Sequence, residues 1–249
     1  MLTAVALEGI PEVQPGDDVG ALVAAALGAD RAADGDVLVL AHKIVSKAEG
    51  RIRNLSEVEP GPEAMKLARE HGKDARHVQV VLDESAEIIR AAHGVLISVT
   101  HHGYVCANAG VDASNVPGED LVVLLPQDPD GSARAIRARL RELTGAAPGV
   151  LITDSFGRAW RHGQCDVAIG CAGLQPLEDW RGRRDATSRE LHATWIAVAD
   201  ELAAAADLAR TKDGAQPAVL LGGAGRHVTG ADGPGVAAMV RPKREDLFR

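Results

Sequence analysis

The sequence predicts a globular chain of mixed class, α/β or α+β. Short apolar runs of strand type, such as DVLVLA and PGVLIT, are bounded by Gly, Pro and Asp. Helical patterns lie between them, the clearest being DPDGSARAIRARLRELTG. The two kinds alternate irregularly, with no internal repeat and no low-complexity linker.

Element by element, TAVALEG reads as a first strand. GIPEVQPGDD is a loop whose Asp17 or Asp18 can cap a helix over VGALVAAAL. DVLVLAH is a buried strand leading into KIVSKAEGR. Residues 59–73 suit a helix opened by proline. HVQVVLDES and GVLISVTHHG read as strand-like segments around a short helix, EIIRAA. LVVLLP is a further strand. The run from Asp128 forms an amphipathic helix stopped at Gly145, and PGVLITD is a strand. Thr187 with Glu190 resembles a capping box, predicting a helix across LHATWIAVADELAAAADLA. QPAVLLGG and GVAAMVRP read as late strands.

Composition narrows the function classes. The 249 residues suffice for one large domain or two small ones. Apolar residues at 46% and charged residues at 25% argue against disorder. With only 2% aromatics, the core must be built from Ala, Val, Leu and Ile, and base-stacking nucleic-acid recognition is disfavoured. A formal net charge of −8 also argues against a nucleic-acid or anionic-membrane surface, while leaving room for a local basic pocket. Cys106, Cys165 and Cys171 show no CxxC spacing, which fits a reducing cytoplasm. MLTAVALEGIPEV lacks the pattern of an export signal, and no apolar stretch reaches membrane-spanning length.

Four polar constellations carry candidate chemistry. In LAHKIVSKAEGR a buried strand ending at His42 is followed by Lys43, Ser46, Lys47, Glu49 and Arg51. Lysines just past a strand end suit phosphate oxygens, although a solvated amphipathic turn has the same composition. CANAGVDASNV places Asp112, Ser114 and Asn115 among small residues that let a ligand approach the backbone. A lone Asp there is ordinarily a turn residue. ITDSFGRAWRHGQCD sets Asp154 one residue beyond the strand VLIT, where ligands of α/β sheets bind. Asp154 and Ser155 are oxygen donors for a hard divalent cation, and Arg158 and Arg161 can hold anionic oxygens. A surface salt-bridge loop is the competing account. LLGGAGRH feeds a strand into a glycine-rich turn with Arg226 and His227, whose backbone N–H groups can bind an anion. There is no HExxH, GxSxG or GxxxxGK[ST]. Cys165 lies among cationic residues, so a nucleophile is conceivable there, with a small core residue the simpler account.

Taken together, HKIVSKAEGR, HHGYVCANAGVDASNV, ITDSFGRAWRHGQ and the terminal RPKREDLFR resemble the coenzyme F420-0:L-glutamate ligase family. The likeness runs from GIPEVQPGDD to Arg249. It implies an enzyme that uses GTP to add glutamate to the phospholactyl end of a deazaflavin coenzyme, through an acyl phosphate. It implies an α+β fold of the family's own, mixed β-sheets flanked by helices, in an intertwined homodimer. Residues 1–249 would be one ligase unit, with a division into two subdomains left open. Some family members carry a further reductase-like domain, and this chain ends at DLFR without it, so a stand-alone ligase unit or one cut from a longer protein is expected.

By position, the resemblance implies that Asp112, Asp154 and Ser155 bind divalent metal, magnesium or manganese. It implies that Ile10, Pro11, Glu12, Val13, His42, Lys47 and Asn115 contact GTP. The turn Leu220, Leu221, Gly222, Gly223, Ala224, Gly225, Arg226 and His227 would lie near the nucleotide. His42 stands where a small or amide polar residue is expected, whereas Ser155 in place of threonine keeps the hydroxyl. Lys47, Arg158 and Arg161 would stabilise the moving phosphoryl group, and His162 or Asp166 would take the amine proton. The partners implied are small molecules and a second copy of the chain, with no nucleic acid or membrane. Two other readings share these motifs: an amide ligase for another carboxylate acceptor, and a nucleotide-binding regulator without catalysis.

Overall fold

In the computed structural model, which describes residues 1–28, 32–116, 118 and 120–248, the apolar run Val37–Ala41 is the middle strand of a five-stranded sheet. The last residue of the terminal segment RPKREDLFR lies outside the described residues. In chain order the elements are β1 (Thr3–Ala6), α1 (Val19–Leu27), β2 (Val37–Ala41), α2 (His42–Ala48), β3 (Ile52–Asn54), α3 (Pro62–His71) and α4 (Ala75–Asp83). Next come β4 (Ser85–Ala92), β5 (Val95–Thr100), β6 (Val105–Ala107), β7 (Leu121–Val123), α5 (Pro129–Thr144) and β8 (Gly149–Arg158). The chain closes with β9 (Arg161–Ala172), β10 (Glu178–Asp179), β11 (Trp195–Ile196), α6 (Val198–Asp207) and β12 (Ala218–Gly222).

The central sheet has the order β1-β12-β2-β8-β9. Only β2 and β8 run parallel; the other neighbours are antiparallel. Strand alternation sends Leu38 and Leu40 to one face with α1 and α5, and Val37 and Val39 to the other with α6. A separate apolar cluster joins α3 and α4 to Leu96 of β5 and Val122 of β7. The class is therefore α+β with several sheets, β4-β5-β6 forming a second one.

Local signals that close within a few residues are met. Asp18 caps α1, its carboxylate accepting from Ala21 N–H at 2.9 Å. Asp128 caps α5, and Gly145 ends it in the left-handed region at φ 80°. Four expectations are corrected. HVQVVLD is helical, because Asp74 caps it and Val78 and Val81, three apart, bury one face. EIIRAA, expected as a short helix, lies instead in strand β4, which pairs along β5 with two register shifts. Thr187 caps no helix: its hydroxyl and N–H both go to Asp185 in a local turn, and α6 starts only at Val198. GVAAM is a 3-10 turn, its Val236 and Ala237 N–H groups held by Asp130 rather than by a strand.

The stretch ITDSFGRAWRHGQCD is not a loop. β8 continues through Arg158, turns at Ala159 and Trp160, and returns as β9, so that Ser155 faces Asp166 and Arg158 faces Arg161. At the reversal Trp160 lies in the left-handed region, at φ 61°. His42 is likewise not the end of β2 but the first residue of α2.

Candidate active site

β2 and β8 are the parallel pair, and where their pairing ends, at Ala41 opposite Thr153, a cavity of about 950 Å³ opens. Residues 10–13, 41–44, 47, 112, 114–116, 153–155, 164, 166, 210–213 and 215–217 supply its walls. Ala41 is in register with Thr153, so the next residues, His42 and Asp154, emerge side by side. His42 is buried, with Nε2 3.4 Å from Asp154 Oδ1 and Nδ1 3.2 Å from the Ser46 hydroxyl. Burial pushes the Asp154 carboxyl up, but the His42 imidazole and the Ser155 N–H outweigh it and hold the group below the usual carboxylate value.

Asp112 enters from the loop after β6. Its backbone is fixed by reciprocal hydrogen bonds with Val123, and its carboxylate accepts from Ser114 N–H at 2.8 Å and from the Ser114 hydroxyl at 2.7 Å. Lys43 Nζ donates to Asp112 Oδ2 at 2.7 Å and to the Ser114 carbonyl at 2.8 Å. Burial raises the Asp112 carboxyl, yet Lys43 and Ser114 together bring it below its usual value. One turn further along α2, Lys47 donates to Glu12 Oε1 at 2.5 Å and to the Asn115 carbonyl at 3.0 Å. The two lysines, four apart on one helix face, thus stitch the loops 10–13 and 112–116 together.

The structure therefore brings Ile10, Pro11, Glu12, Val13, His42, Lys47, Asp112, Asn115, Asp154 and Ser155 to one cavity. It does not bring two other groups there. Arg158, Arg161 and His162 sit on the exposed outer part of the β8–β9 hairpin, where the Arg158 guanidinium donates to the His162 carbonyl at 2.9 Å. In the stretch Leu220–His227, residues Leu220 to Gly222 end β12, which runs antiparallel to β2, and the turn follows from Gly223. Leu221 pairs with Val37, so the turn leaves the sheet at the end opposite the cavity, beside Gly35. Asp166 does line the cavity but is buried, with both carboxylate oxygens engaged.

The same antiparallel pairing explains what the sequence reading missed. The segment before β12, RTKDGAQP, forms a cavity wall from Arg210 to Pro217. Its signal was present as two cations, an aspartate and a glycine directly ahead of an apolar run. Among the described residues, no three His, Cys, Asp or Glu side chains group closely enough to hold a metal by themselves.

Residues 9–223 match a family model described as F420-0:Gamma-glutamyl ligase. The chain is 47% identical over 251 residues to a coenzyme F420:L-glutamate ligase of Methanothermobacter thermautotrophicus, covering 100% of this chain and 99% of that protein. It is 45% identical over 253 residues to the protein so named in Methanopyrus kandleri, with coverage of 100% and 99%. A third, from Haloarcula marismortui, is 44% identical over 251 residues, with coverage of 98% and 94%.

Proposed function

Because the chain belongs to the F420-0:gamma-glutamyl ligase family, we propose that it joins L-glutamate to the phospholactyl carboxylate of coenzyme F420-0 as an amide, consuming GTP. The observation that carries this reading is the convergence of two carboxylates, a hydroxyl and several lysines on one cavity where the parallel pairing of β2 and β8 ends. Such a constellation suits a polyphosphate with its counter-ion.

Asp112, Asp154 and Ser155 are hard oxygen donors facing one cavity, with the Lys43 ammonium beside Asp112 and the His42 imidazole beside Asp154. That donor set fits a magnesium or manganese ion whose remaining positions go to water and phosphate oxygens. When bound, the ion offsets charge on the phosphates. In the reaction, an oxygen of the acceptor carboxylate attacks the γ-phosphorus, the bond to the β-phosphate oxygen breaks, and GDP leaves. The amine of glutamate then attacks the acyl carbon, phosphate departs, and the amine gives up a proton.

Lys47 on α2, with Lys212 on the wall 210–217, supplies positive charge for the transferring group, while Lys43 is held by Asp112 and Ser114. Lys47 and Lys212 take the role first given to Arg158 and Arg161, which lie outside the cavity. Asp166 is not retained as the proton acceptor, because its oxygens are occupied, nor is His162, which lies outside the cavity. The homodimer belongs to the same proposal. Trp160 at the hairpin tip, packed against Phe248 with ring centroids 5.0 Å apart, offers exposed apolar surface to a second copy. No helix among the described residues is long and apolar enough to cross a membrane, and cytoplasmic residence is part of the proposal.

The test is to incubate the protein with GTP, magnesium, L-glutamate and coenzyme F420-0 and to weigh the coenzyme. A gain of one or more glutamyl residues in step with GDP release is expected. GTP turnover without glutamyl addition would refute the assignment.

A further inference from the structure

We propose that Asp166 is a positioning residue whose buried carboxylate pins the wall 210–217 to strand β8 and presents the Ser155 hydroxyl to the cavity as an acceptor. The inference rests on the nucleotide reading of the cavity and extends it to a residue that touches no substrate.

Asp166 is 1% exposed and projects from β9 directly opposite Ser155. Its Oδ2 accepts from the Thr153 hydroxyl at 2.8 Å and from the Arg210 guanidinium. Its Oδ1 accepts from the Ser155 hydroxyl at 2.6 Å and lies 3.7 Å from Lys212 Nζ. One carboxylate thus serves two hydroxyls on β8 and two cations on the wall. An ionised carboxylate is acceptor-only, with about four lone-pair sites, and this geometry uses that capacity.

Arg210 completes the anchor. Its side chain is 8% exposed, and besides Asp166 it donates to the Thr153 hydroxyl at 3.2 Å and to the Pro217 carbonyl at 3.4 Å. The guanidinium therefore ties the last residue of the wall to its first, and the pair is fastened to the sheet through Asp166. Asp207 adds a second carboxylate, 3.6 Å from Arg210 Nε and 3.5 Å from Lys212 Nζ.

The consequence for Ser155 is chemical. Its only proton is committed to Asp166, so its remaining sites are lone pairs, and Lys212 Nζ already donates to that oxygen at 2.6 Å. A hydroxyl held this way faces the cavity as a ligand for positive charge and cannot present its hydrogen to a phosphate. Without Asp166 the hydroxyl is free to rotate, and Arg210 keeps a buried charge without its main partner.

The experiment compares Asp166→Asn with wild type, using GDP as the probe. GDP affinity by calorimetry should fall at least ~10-fold, as expected for loss of a charge-assisted network. Tryptic cleavage after Lys212 should speed up by a similar factor at unchanged far-ultraviolet dichroism. KM for GTP should rise more than kcat falls, a split that a merely structural residue would not produce. Arg210→Met should give the same losses, and the double variant should be little worse than either, because the two act as a unit. If Asp166→Asn fails to fold, Arg210→Lys, which keeps the charge but loses the fork, carries the same expectation. Wild-type GDP affinity and wild-type protease resistance in the variant would overturn the proposal, as would fully additive losses. If wild-type protein itself binds no GDP, the nucleotide reading fails, and the protease comparison still decides the anchoring.

Discussion

Replacing Lys47 by methionine separates folding from binding in a way the structure makes quantitative. The substitution keeps most of the aliphatic stem, which is buried, and removes only the ammonium. Lys47 Nζ meets Glu12 Oε1 and the Asn115 carbonyl. Both partners are exposed, Glu12 to 55%, so water takes over at each when the ammonium is lost. The folding cost should therefore stay within the ~0–1 kcal/mol of a screened pair. For a chain of this length that lowers Tm by no more than about 4 °C. Binding should suffer more. An ammonium has three donors, and the contacts with Glu12 and Asn115 leave one for a ligand in the cavity. Losing a charge-assisted hydrogen bond costs about 1.5–3 kcal/mol, which is ~10–150-fold in Kd. Calorimetry with a non-hydrolysable GTP analogue and with GDP, beside a thermal melt, is the assay. The expected result is a small Tm change and a larger affinity loss for the triphosphate. Equal losses for both nucleotides would remove Lys47 from the γ-phosphate, and unchanged affinity for both would refute the cationic role.

Two further outcomes are expected. Asp112→Asn and Asp154→Asn should each nearly abolish both turnover and manganese binding read by electron paramagnetic resonance, with the double variant little worse, since both carboxylates face one cavity; near-normal activity of either at low metal would sink the shared site. Burial pushes the thiols of Cys106 and Cys171 up to about 12, so at pH 8 only about one in 10⁴ of each is thiolate, the reactive form. A disulfide reagent should therefore titrate the half-buried Cys165 first and all three thiols only in denaturant, and three fast thiols in the native protein would contradict that burial.

What the sequence determined by itself were features whose partners lie within a few positions along the chain. Asp18, Asp128 and Gly145 delimit helices through hydrogen bonds that close within a turn. The runs DVLVLA and PGVLIT declare buried strands by composition alone, and the polar residues after them mark the site. Tertiary structure decided whatever depends on a distant partner. The valines of HVQVVLD favour a strand in isolation, but packing against α3 and Leu96 selects a helix, while EIIRAA pairs with β5. The direction of β12 is the most consequential case. Nothing within QPAVLLGG says which way it runs along β2, yet antiparallel pairing carries RTKDGAQP to the cavity and GGAGRH away from it. Asp166 shows the same division: the residue is plain in the sequence, but its bond to Arg210, 44 positions away, exists only because β9 returns beside β8 and α6 packs against it.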